Sequence, residues 1–252
     1  MIPKNHPRYK SLILREKIKN AFKSGYLADT GMIAHGRGET FDYLLGEKTI
    51  PPAKKAEEVA VAQLLLAENP VISVNGNTTA LVIDEIIEFA KEINGKIELN
   101  LFHRTKKRVE IIKNLYKEKG WENLLGCNTK ELKNFDNITN PRSTASPQGI
   151  YTADIILIPL EDGDRAEILK KYGKKIITID LNPLSRTSQM SNTTIVDNIT
   201  RAIPNMTRIA KEYKNKNQKE LKEIINKYNN KENLEKSIKE FKIKQMELEN
   251  WK

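Results

Sequence analysis

Hydrophobic and polar residues follow two different spacings along this chain, and the two spacings alternate. Short apolar runs rich in β-branched residues read VISV, IELNLF, ADIILIPL and KKIITIDL, and TTIVDNI follows later. Between them lie stretches whose apolar residues recur at helical spacing, such as TTALVIDEIIEF, KKRVEIIKN and DRAEILKK. Strands that alternate with helices are typical of parallel βαβ units, in which helices cover both faces of the sheet. We therefore predict an α/β fold with a parallel sheet of five or six strands flanked by helices.

Two helices are predicted before the first strand. Residues 7–24 place apolar side chains among Lys and Arg at the spacing of a surface helix, and a turn-rich stretch follows. Residues 51–68 begin with two prolines and continue with strong helix formers. We expect this second helix to become buried toward its end.

Two later segments depart from the alternation. Residues 136–150 are polar and rich in turn formers, so we predict a mobile surface loop. Beyond Ile209 the chain is rich in Lys, Asn and Glu, and its apolar positions predict one or two amphipathic helices. The expected organisation is one domain over residues 1–210 and a lysine-rich helical extension over residues 211–252.

Composition excludes several classes of protein. A chain of 252 residues can bury a large core, and the single cysteine, Cys127, excludes an intrachain disulfide and a cysteine-rich zinc site. The N-terminus has no signal-peptide pattern, and the longest apolar stretch, VAVAQLLLA, is too short to span a bilayer. We therefore expect a cytoplasmic protein with no membrane role. The net charge of +10 is compatible with nucleic acid, with small anionic ligands or with simple solvation.

Polar residues follow each predicted strand, where open parallel sheets bind their ligands. After VISV come Asn75 and Asn77, at the start of a helix whose free N–H groups attract anions. An ordinary turn with Thr78 or Thr79 as the helix cap is an equal alternative there. After IELNLF come His103 and Arg104, and these two side chains together favour phosphate binding over a capped helix with exposed basic residues.

Carboxylates follow the strand IILIPL. Glu161, Asp162 and Asp164 surround a glycine, and their oxygens are suitable Mg²⁺ ligands when nucleotide phosphates complete the shell. The commoner meaning of such a cluster is a charged turn that caps the next helix. The sequence leaves both possibilities open.

The strand IITI is followed by four side chains of the kinds that bind nucleotides. Asp180 can accept hydrogen bonds from ribose hydroxyls or help to hold a metal, while Asn182, Arg186 and Thr187 can reach a base or phosphates. A proline-containing loop without a ligand is the weaker alternative.

The segment IAHGRGETFDYLLGE lies outside the strand pattern. Two glycines flank Arg37, and His35 precedes it by two residues. We predict a glycine loop whose backbone approaches a ligand closely while His35 and Arg37 point toward that ligand, in preference to a solvated loop. The sequence contains no GxGxxG, GxxxxGK[ST], GxSxG or HExxH motif, which disfavours NAD enzymes, P-loop kinases, serine hydrolases and zincins.

Several segments together resemble one family, the archaeal 4-phosphopantoate–β-alanine ligases, also called phosphopantothenate synthetases, of coenzyme A biosynthesis. They read, in chain order, HPRYKSL, AHGRGETFDYLLGE, VISVNGN, LNLFHRT, GIYTADIILIPLEDGDR, IDLNPLSRTS and TIVDNITRAIPN. The resemblance implies condensation of 4-phosphopantoate with β-alanine through a phosphopantoyl adenylate, with release of AMP and diphosphate. It also implies a Rossmann-like homodimer, in which residues 1–210 form the ligase domain.

The resemblance implies roles for individual residues as well. Matched by motif, the ATP-binding positions correspond to Arg15, Arg37, Asp180, Leu181, Asn182, Arg186, Thr187 and Asn198. For 4-phosphopantoate we expect Asn75, Asn77, His103 and Arg104, and for Mg²⁺ we expect Asp162 and Asp164. Arg37 would neutralise charge in the adenylation step, and either His35 or Glu161 would take the proton of the β-alanine amine.

Two other functions compete with this interpretation. The positive charge and the lysine-rich tail fit RNA binding, but aromatic residues are few at 6%, and no RRM or KH signature is present. We therefore expect no nucleic-acid partner. A kinase or ligase that acts on another small phosphorylated acid at the same crevice would release ADP instead of AMP.

Overall fold

The fold is that of a computed structural model, which describes residues 2–6, 8–135 and 143–249, and for residues 242–249 describes the backbone alone. Its longer helices are α1 (Tyr9–Lys23), α2 (Asp29–Leu45), α3 (Pro51–Leu65), α4 (Gly76–Glu92), α5 (Lys106–Glu118), α6 (Gly163–Lys171), α7 (Arg186–Met190), α8 (Ile199–Tyr213), α9 (Gln218–Asn226) and α10 (Asn230–Glu249). The strands are β1 (Pro70–Val74), β2 (Lys96–Leu99), β3 (Lys133–Asn134), β4 (Thr144–Ala145), β5 (Ile155–Leu157), β6 (Lys175–Ile179) and β7 (Thr193–Ile195).

The main sheet has five strands, all parallel, in the order β2-β1-β5-β6-β7. The predicted α/β fold is therefore confirmed. Strand β1 lies between β2 and β5. The chain continues from β1 to β2 on one side and later adds β5, β6 and β7 on the other side, so its direction across the sheet reverses beside β1. In open parallel sheets this reversal opens a crevice at the carboxyl ends of the strands. That crevice contains the candidate site described below.

Both faces of the sheet are covered, as the βαβ pattern predicts. One face packs under α3, α4 and α8, and its core includes Ile72, Ile97 and Leu157, none of which is measurably exposed. The other face buries Ile156 and Ile176 against α6. Because every strand of this sheet is buried on both faces, its apolar runs are continuous instead of alternating with polar residues.

The first and third helices agree with the sequence prediction. The segment predicted as a helix over residues 7–24 contains α1, and the one predicted over residues 51–68 contains α3. Pro51 and Pro52 occupy the first positions of α3, where a missing N–H costs nothing. Pro51 and Lys54 are exposed, whereas almost every position from Val59 to Leu64 is buried, so the burial of α3 increases toward its end as expected.

The predicted glycine loop around Arg37 is wrong, because these residues lie within helix α2. Gly36 and Gly38 have ordinary helical backbones, and α2 ends only at Gly46, whose φ of 78° is left-handed. An added Cβ at Gly31 would lie 2.7 Å from the Asn77 side chain, so this glycine allows α2 to approach α4 closely. Tertiary packing has outweighed the low helix propensity of glycine.

The predicted surface loop over residues 136–150 is wrong for its described part. Residues 136–142 lie outside the described residues, whereas Ser143, Ala145 and Ile150 are fully buried. The Glu98 carboxylate accepts hydrogen bonds from the backbone N–H groups of Ser146 (2.9 Å) and Ile150 (2.7 Å). A buried acidic side chain on β2 thus holds a segment whose own composition is that of a loop.

The predicted amphipathic helices of the C-terminal segment are confirmed as α9 and α10. Leu221 and Leu234 are buried, and the side chain of Asn230 bonds to the backbone of Thr194, Ser188 and Ser191. The described part of this extension therefore packs on the sheet domain, while the domain boundary at residue 210 stays a prediction. Among the helices of the described ranges, not one combines the length and apolar character needed to cross a membrane.

Candidate active site

Two adjoining cavities open at the carboxyl edge of the sheet. The first cavity, of about 430 Å³, lies between α2 and the residues that follow β5, β6 and β7. The second cavity, of about 340 Å³, lies between the N-terminal half of α2 and the residues that follow β1 and β2. Both cavities are lined by Ala34, Arg37, Asn77, Leu160, Glu161 and Asp162. The shared wall means that ligands in the two cavities would be neighbours.

The first cavity brings together most of the residues assigned to ATP by the resemblance. Its lining contains Arg37, Asp180, Leu181, Asn182, Arg186, Thr187 and Asn198, together with the catalytic candidates His35 and Glu161. These residues come from α2 and from three different strand ends. The structure thus brings side chains from three strand ends together at one cavity, and their role in binding a nucleotide stays a prediction.

Asp180 shapes the loop that follows β6. Its carboxylate accepts hydrogen bonds from the Asn182 backbone N–H at 2.9 Å and from the Ser185 hydroxyl at 2.5 Å. Burial raises the pKa of Asp180, and these hydrogen bonds oppose that effect. The loop is tied to the end of β5 as well, since the Thr187 hydroxyl donates to the Glu161 carbonyl oxygen at 2.9 Å.

Arg186 and the acidic residues after β5 contact one another. The Arg186 guanidinium donates to Asp164 and, at 3.2 Å, to Glu167. The Asp162 carboxylate caps α6 by accepting from the Arg165 backbone N–H at 3.0 Å. Within the described ranges, no group of three or more His, Cys, Asp or Glu side chains is arranged to hold a metal. Asp162 therefore fits the alternative of a charged turn that caps the next helix. Asp164 is paired with Arg186.

Arg15 is the one predicted ATP residue that does not line the first cavity. Its Nε donates to the Glu39 carboxylate at 2.8 Å, and its NH2 group donates to the Tyr43 hydroxyl at 3.0 Å. The hydrogen bond to Glu39 raises the pKa of Arg15. Arg15 therefore joins α1 to α2 immediately behind the cavity wall.

His35 and Glu39 lie one turn apart on α2 and both line the first cavity. The imidazole Nε2 of His35 and the Oε1 atom of Glu39 are shielded from solvent and have no hydrogen-bond partner among the described residues. Burial lowers the pKa of His35, so its neutral form is favoured. Sequence reasoning missed Glu39, although the i,i+4 spacing from His35 identifies it once α2 is known to be a helix.

The second cavity contains three of the four residues expected for 4-phosphopantoate. Asn75 and Asn77 line it at the start of α4, and His103 lines it after β2. Asn75 also caps α4, because its side-chain oxygen accepts from the backbone N–H groups of Asn77 (3.0 Å) and Thr78 (3.1 Å). Its amide group donates to the Leu160 carbonyl oxygen at 3.0 Å, which connects the ends of β1 and β5. A helix cap is therefore present, but the capping residue is Asn75 and not Thr78 or Thr79, and Thr78 completes the capping box from inside the helix.

Arg104 does not line either cavity. Its guanidinium donates to the Gly126 carbonyl oxygen, and burial lowers its pKa. Arg108, which sequence reasoning missed, lines the second cavity and donates to the His103 carbonyl oxygen at 2.6 Å. Its position in the first turn of α5 could have identified it, because an arginine there can extend past the N-cap Thr105 toward the end of β2.

A buried polar network fixes Asn198 in the wall of the first cavity. The Asn198 amide donates to the Asp42 carboxylate at 2.8 Å, and Arg201 forms ion pairs with Asp42 and Asp197. Burial alone would lower the pKa of Arg201, but the hydrogen bonds to these carboxylates raise it. The Thr49 hydroxyl donates to Asp197 at 2.6 Å. These contacts join α2 to the start of α8.

Comparison with known proteins identifies one family. The family model for phosphopantothenate/pantothenate synthetase matches residues 52–244. A 4-phosphopantoate–β-alanine ligase from Thermococcus onnurineus is 53% identical over 230 residues, which are 91% of this chain and 87% of that protein. The ligase of the same name from Methanosarcina mazei is 50% identical over 239 residues, covering 95% and 93% of the two chains. The chain therefore belongs to the phosphopantothenate/pantothenate synthetase family.

Proposed function

We propose that this chain joins 4-phosphopantoate to β-alanine at the expense of ATP, giving 4′-phosphopantothenate for coenzyme A biosynthesis. Relatives at about half identity carry this activity in their names. The observation that supports this proposal most is the pair of cavities with a shared wall. The first is lined by side chains of the kinds that bind nucleotides, and the second by side chains of the kinds that bind phosphate. Two substrates bound in this way would meet at Arg37.

ATP is proposed to occupy the first cavity. Asp180, Asn182 and Asn198 offer fixed acceptors and donors for the ribose and base, and Arg37 and Arg186 offer guanidinium groups for the phosphates. Arg15 is proposed to help to bind the nucleotide while its Nε stays on Glu39.

Mg²⁺ is proposed to accompany the nucleotide. Oxygen donors suit this ion, and the Glu161 and Asp162 side chains that line both cavities supply them. Asp164 would take part after exchanging its Arg186 partner. The bound ion would neutralise phosphate charge, while the residues of the chain position the reacting groups.

4-Phosphopantoate is proposed to occupy the second cavity. Asn75 and Asn77 would bind its hydroxyl or carboxylate oxygens, and His103 would bind its phosphate with help from Arg108. Arg104 would contribute only if its guanidinium left the Gly126 carbonyl oxygen.

The proposed reaction begins when the substrate carboxylate attacks the α-phosphate of ATP, the bond between the α- and β-phosphates breaks, and diphosphate leaves. The two groups repel each other, and Arg37 in the shared wall is placed to reduce that repulsion and to stabilise the charge that develops at phosphorus. The amine of β-alanine then attacks the adenylate carbonyl, with His35 or Glu161 as the base. A side-chain nucleophile is not needed at any step.

An isotope-exchange measurement tests this proposal. Labelled diphosphate should enter ATP when 4-phosphopantoate is present and β-alanine is omitted, because a reversible adenylation step does not require the amine. Release of ADP without any exchange would overturn the adenylate route and favour a kinase-type ligase.

We also propose that the chain acts as a homodimer in the cytoplasm. Exposed Ile33 and Leu44 on α2 provide apolar surface that a second copy can cover. Sedimentation of the full chain at micromolar concentration should give twice the monomer mass.

RNA binding is the competing use of the positive charge, and a filter-binding titration at physiological salt would reveal it.

A further inference from the structure

Glu39 is a buried carboxylate of which only one oxygen atom accepts a hydrogen bond from the described residues. The residue is 9% exposed, and its Oε2 accepts from Arg15 Nε at 2.8 Å. Arg15 also donates to the Tyr43 hydroxyl at 3.0 Å, so the Arg15–Glu39 pair has a second attachment to α2. Its Oε1 has no partner within the described ranges and belongs to a side chain that lines the first cavity. Such an atom is costly unless a ligand or water satisfies it.

His35 presents a second acceptor on the same face of α2. It lies one helical turn before Glu39, lines the same cavity, and its shielded Nε2 has no partner among the described residues. The tautomer with a proton on Nδ1 leaves Nε2 free to accept a hydrogen bond. A carboxylate beside a neutral imidazole attracts a cationic donor and repels an anion, in contrast to Arg37 and Arg186 elsewhere in the cavity.

We infer that Glu39 and His35 together bind the amino group of β-alanine, which arrives as an ammonium ion with three N–H donors. The inference rests on the proposed function, because only that function supplies this amine. Both acceptor atoms are shielded from solvent, so each side chain turns toward the cavity as the ammonium binds. Glu39 Oε1 then accepts one N–H group, and His35 Nε2 accepts another. Ala34 and Arg37, on the same helix, line the wall shared with the second cavity, so the amine lies beside the carbonyl that it must attack.

The step that follows is balanced without another reactant. The ammonium transfers one proton to His35 Nε2 and becomes a free amine, whose lone pair forms a C–N bond to the adenylate carbonyl carbon. The C–O bond to AMP then breaks, and AMP leaves with the electron pair. The nitrogen loses its second proton to the departing phosphate, and His35 returns its proton to solvent.

This assignment chooses between the two candidate bases. Oε1 of Glu161 accepts a hydrogen bond from the Asp162 backbone N–H at 3.0 Å, so that side chain is occupied in shaping the turn after β5. His35 Nε2 has no such local role within the described structure. His35 is therefore the base, and Glu39 is the residue that recognises the cation.

Separate assays of the two half-reactions test the inference. The variants are Glu39→Gln and His35→Asn, with Glu16→Gln as the matched control because Glu16 forms an exposed ion pair with Lys19 on α1. Glutamine at position 39 keeps an oxygen that can accept from Arg15 but removes the charge. For Glu39→Gln we expect the KM for β-alanine to rise at least about tenfold, with diphosphate exchange within about threefold of wild type. His35→Asn should lower kcat of amide formation and leave exchange similarly intact.

Hydroxylamine gives the decisive readout in both variants. It is a neutral nucleophile near pH 7, so it needs neither a carboxylate to bind it nor a base to deprotonate it. Hydroxamate formation from 4-phosphopantoate and ATP should therefore stay near the wild-type rate while amide formation with β-alanine falls. Equal loss of exchange, hydroxamate and amide in a folded variant, or an unchanged KM for β-alanine in Glu39→Gln, would overturn the inference.

The controls separate this inference from the proposed function. Failure of the wild-type chain to catalyse exchange would contradict the proposed function itself, before any variant is compared. Thermal unfolding of each variant identifies loss of structure. If Glu39→Gln does not fold, His35→Asn decides: loss of exchange together with amide formation would contradict the inference, and loss of amide formation alone would support it.

Discussion

At the scale of single residues, the side chains around the two cavities differ in how firmly they are already held. Asp180 and Asn75 are fixed by hydrogen bonds within their own loop and helix end, and Asn198 is fixed by its hydrogen bond to Asp42 on α2. Arg37 is exposed and lines both cavities. Rigid residues of the first kind suit recognition, whereas an exposed guanidinium between two ligands suits charge that develops during reaction.

The role of Arg37 can be measured directly. Substitution Arg37→Ala should lower kcat/KM by at least about a hundredfold, the effect of losing one charge-stabilising donor in a catalytic site. Arg208→Ala, which removes an exposed arginine paired with Glu212 on α8, serves as the control. Steady-state kinetics of Arg37→Ala that match those of the control would remove Arg37 from the mechanism.

The protonation of His35 predicts a pH dependence. Burial lowers its pKa below the ordinary value of about 6.5, so the base becomes protonated only at more acidic pH. Amide formation should therefore stay high through neutrality and fall on the acid side of that value. The charged groups nearest to His35 are Glu39 and Arg15, and the same cavity is lined by Arg37, Glu161, Asp162, Asp180 and Arg186.

The control for this profile is His35→Asn, which should lose the acid limb of amide formation. Diphosphate exchange, which needs no amine base, should lack that limb in both proteins. An acid limb that persists unchanged in His35→Asn would assign the titration to another group.

At the scale of elements, the sequence predicted the strands and the residues that follow them, and the structure agrees. Burial on both faces and short connections fix these elements locally. Helix α2 was missed because its glycines and polar residues have low helix propensity, and it is stabilised by contacts with α1, α4 and α10 that are distant in sequence. Glu39 was missed with it, since its partner Arg15 lies 24 residues earlier in the chain.

The segment over residues 143–150 was missed for a related reason. Its composition is that of a loop, but Glu98 and Arg165 hold it from two other elements: Glu98 accepts from two of its backbone N–H groups, and Arg165 donates to the Thr144 carbonyl oxygen at 3.0 Å. Contacts at this sequence distance have no local signature. Composition alone therefore could not predict that this segment is buried.

This dependence of a buried segment on Glu98 makes a stability prediction. Glu98→Ala should lower the free energy of unfolding by about 3 kcal/mol, because two buried N–H groups lose their acceptor. The backbone amides of Ser146 and Ile150 should also lose protection from hydrogen exchange. The control is Glu122→Ala at an exposed position. Normal protection of both amides in Glu98→Ala would contradict the prediction.

At the scale of the whole molecule, a buried polar network connects α3 and α8 to α2. Glu57 on α3 accepts from the Asn205 amide at 3.2 Å, and Asn205 reaches Thr49 and, through it, the ion pairs of Asp197 and Arg201. Burial raises the pKa of Glu57 to about 8. The network therefore links overall stability to pH.

The direction of that linkage follows from the shift. Folding favours the protonated form of Glu57, so its contribution to stability is complete below the unfolded pKa of about 4.5 and is lost as pH rises through about 8. Glu57→Gln, which mimics the protonated form, should reduce the loss of stability between pH 5 and pH 8.5 by a few kcal/mol. Urea unfolding at both pH values measures the difference. If the free energy of unfolding changed with pH in the same way in wild type and Glu57→Gln, Glu57 would have the same pKa in the folded and unfolded states, and the prediction would be contradicted.

The central claim is that this chain activates a phosphorylated acid and transfers it to β-alanine. The most direct measurement is to incubate the purified protein with ATP, Mg²⁺ and β-alanine, with 4-phosphopantoate in one reaction and pantoate in another, and to separate the products by chromatography. We predict AMP and 4′-phosphopantothenate in equal amounts from the phosphorylated acid and no amide from pantoate. Amide formation from pantoate at the same rate, or ADP as the nucleotide product, would contradict the account.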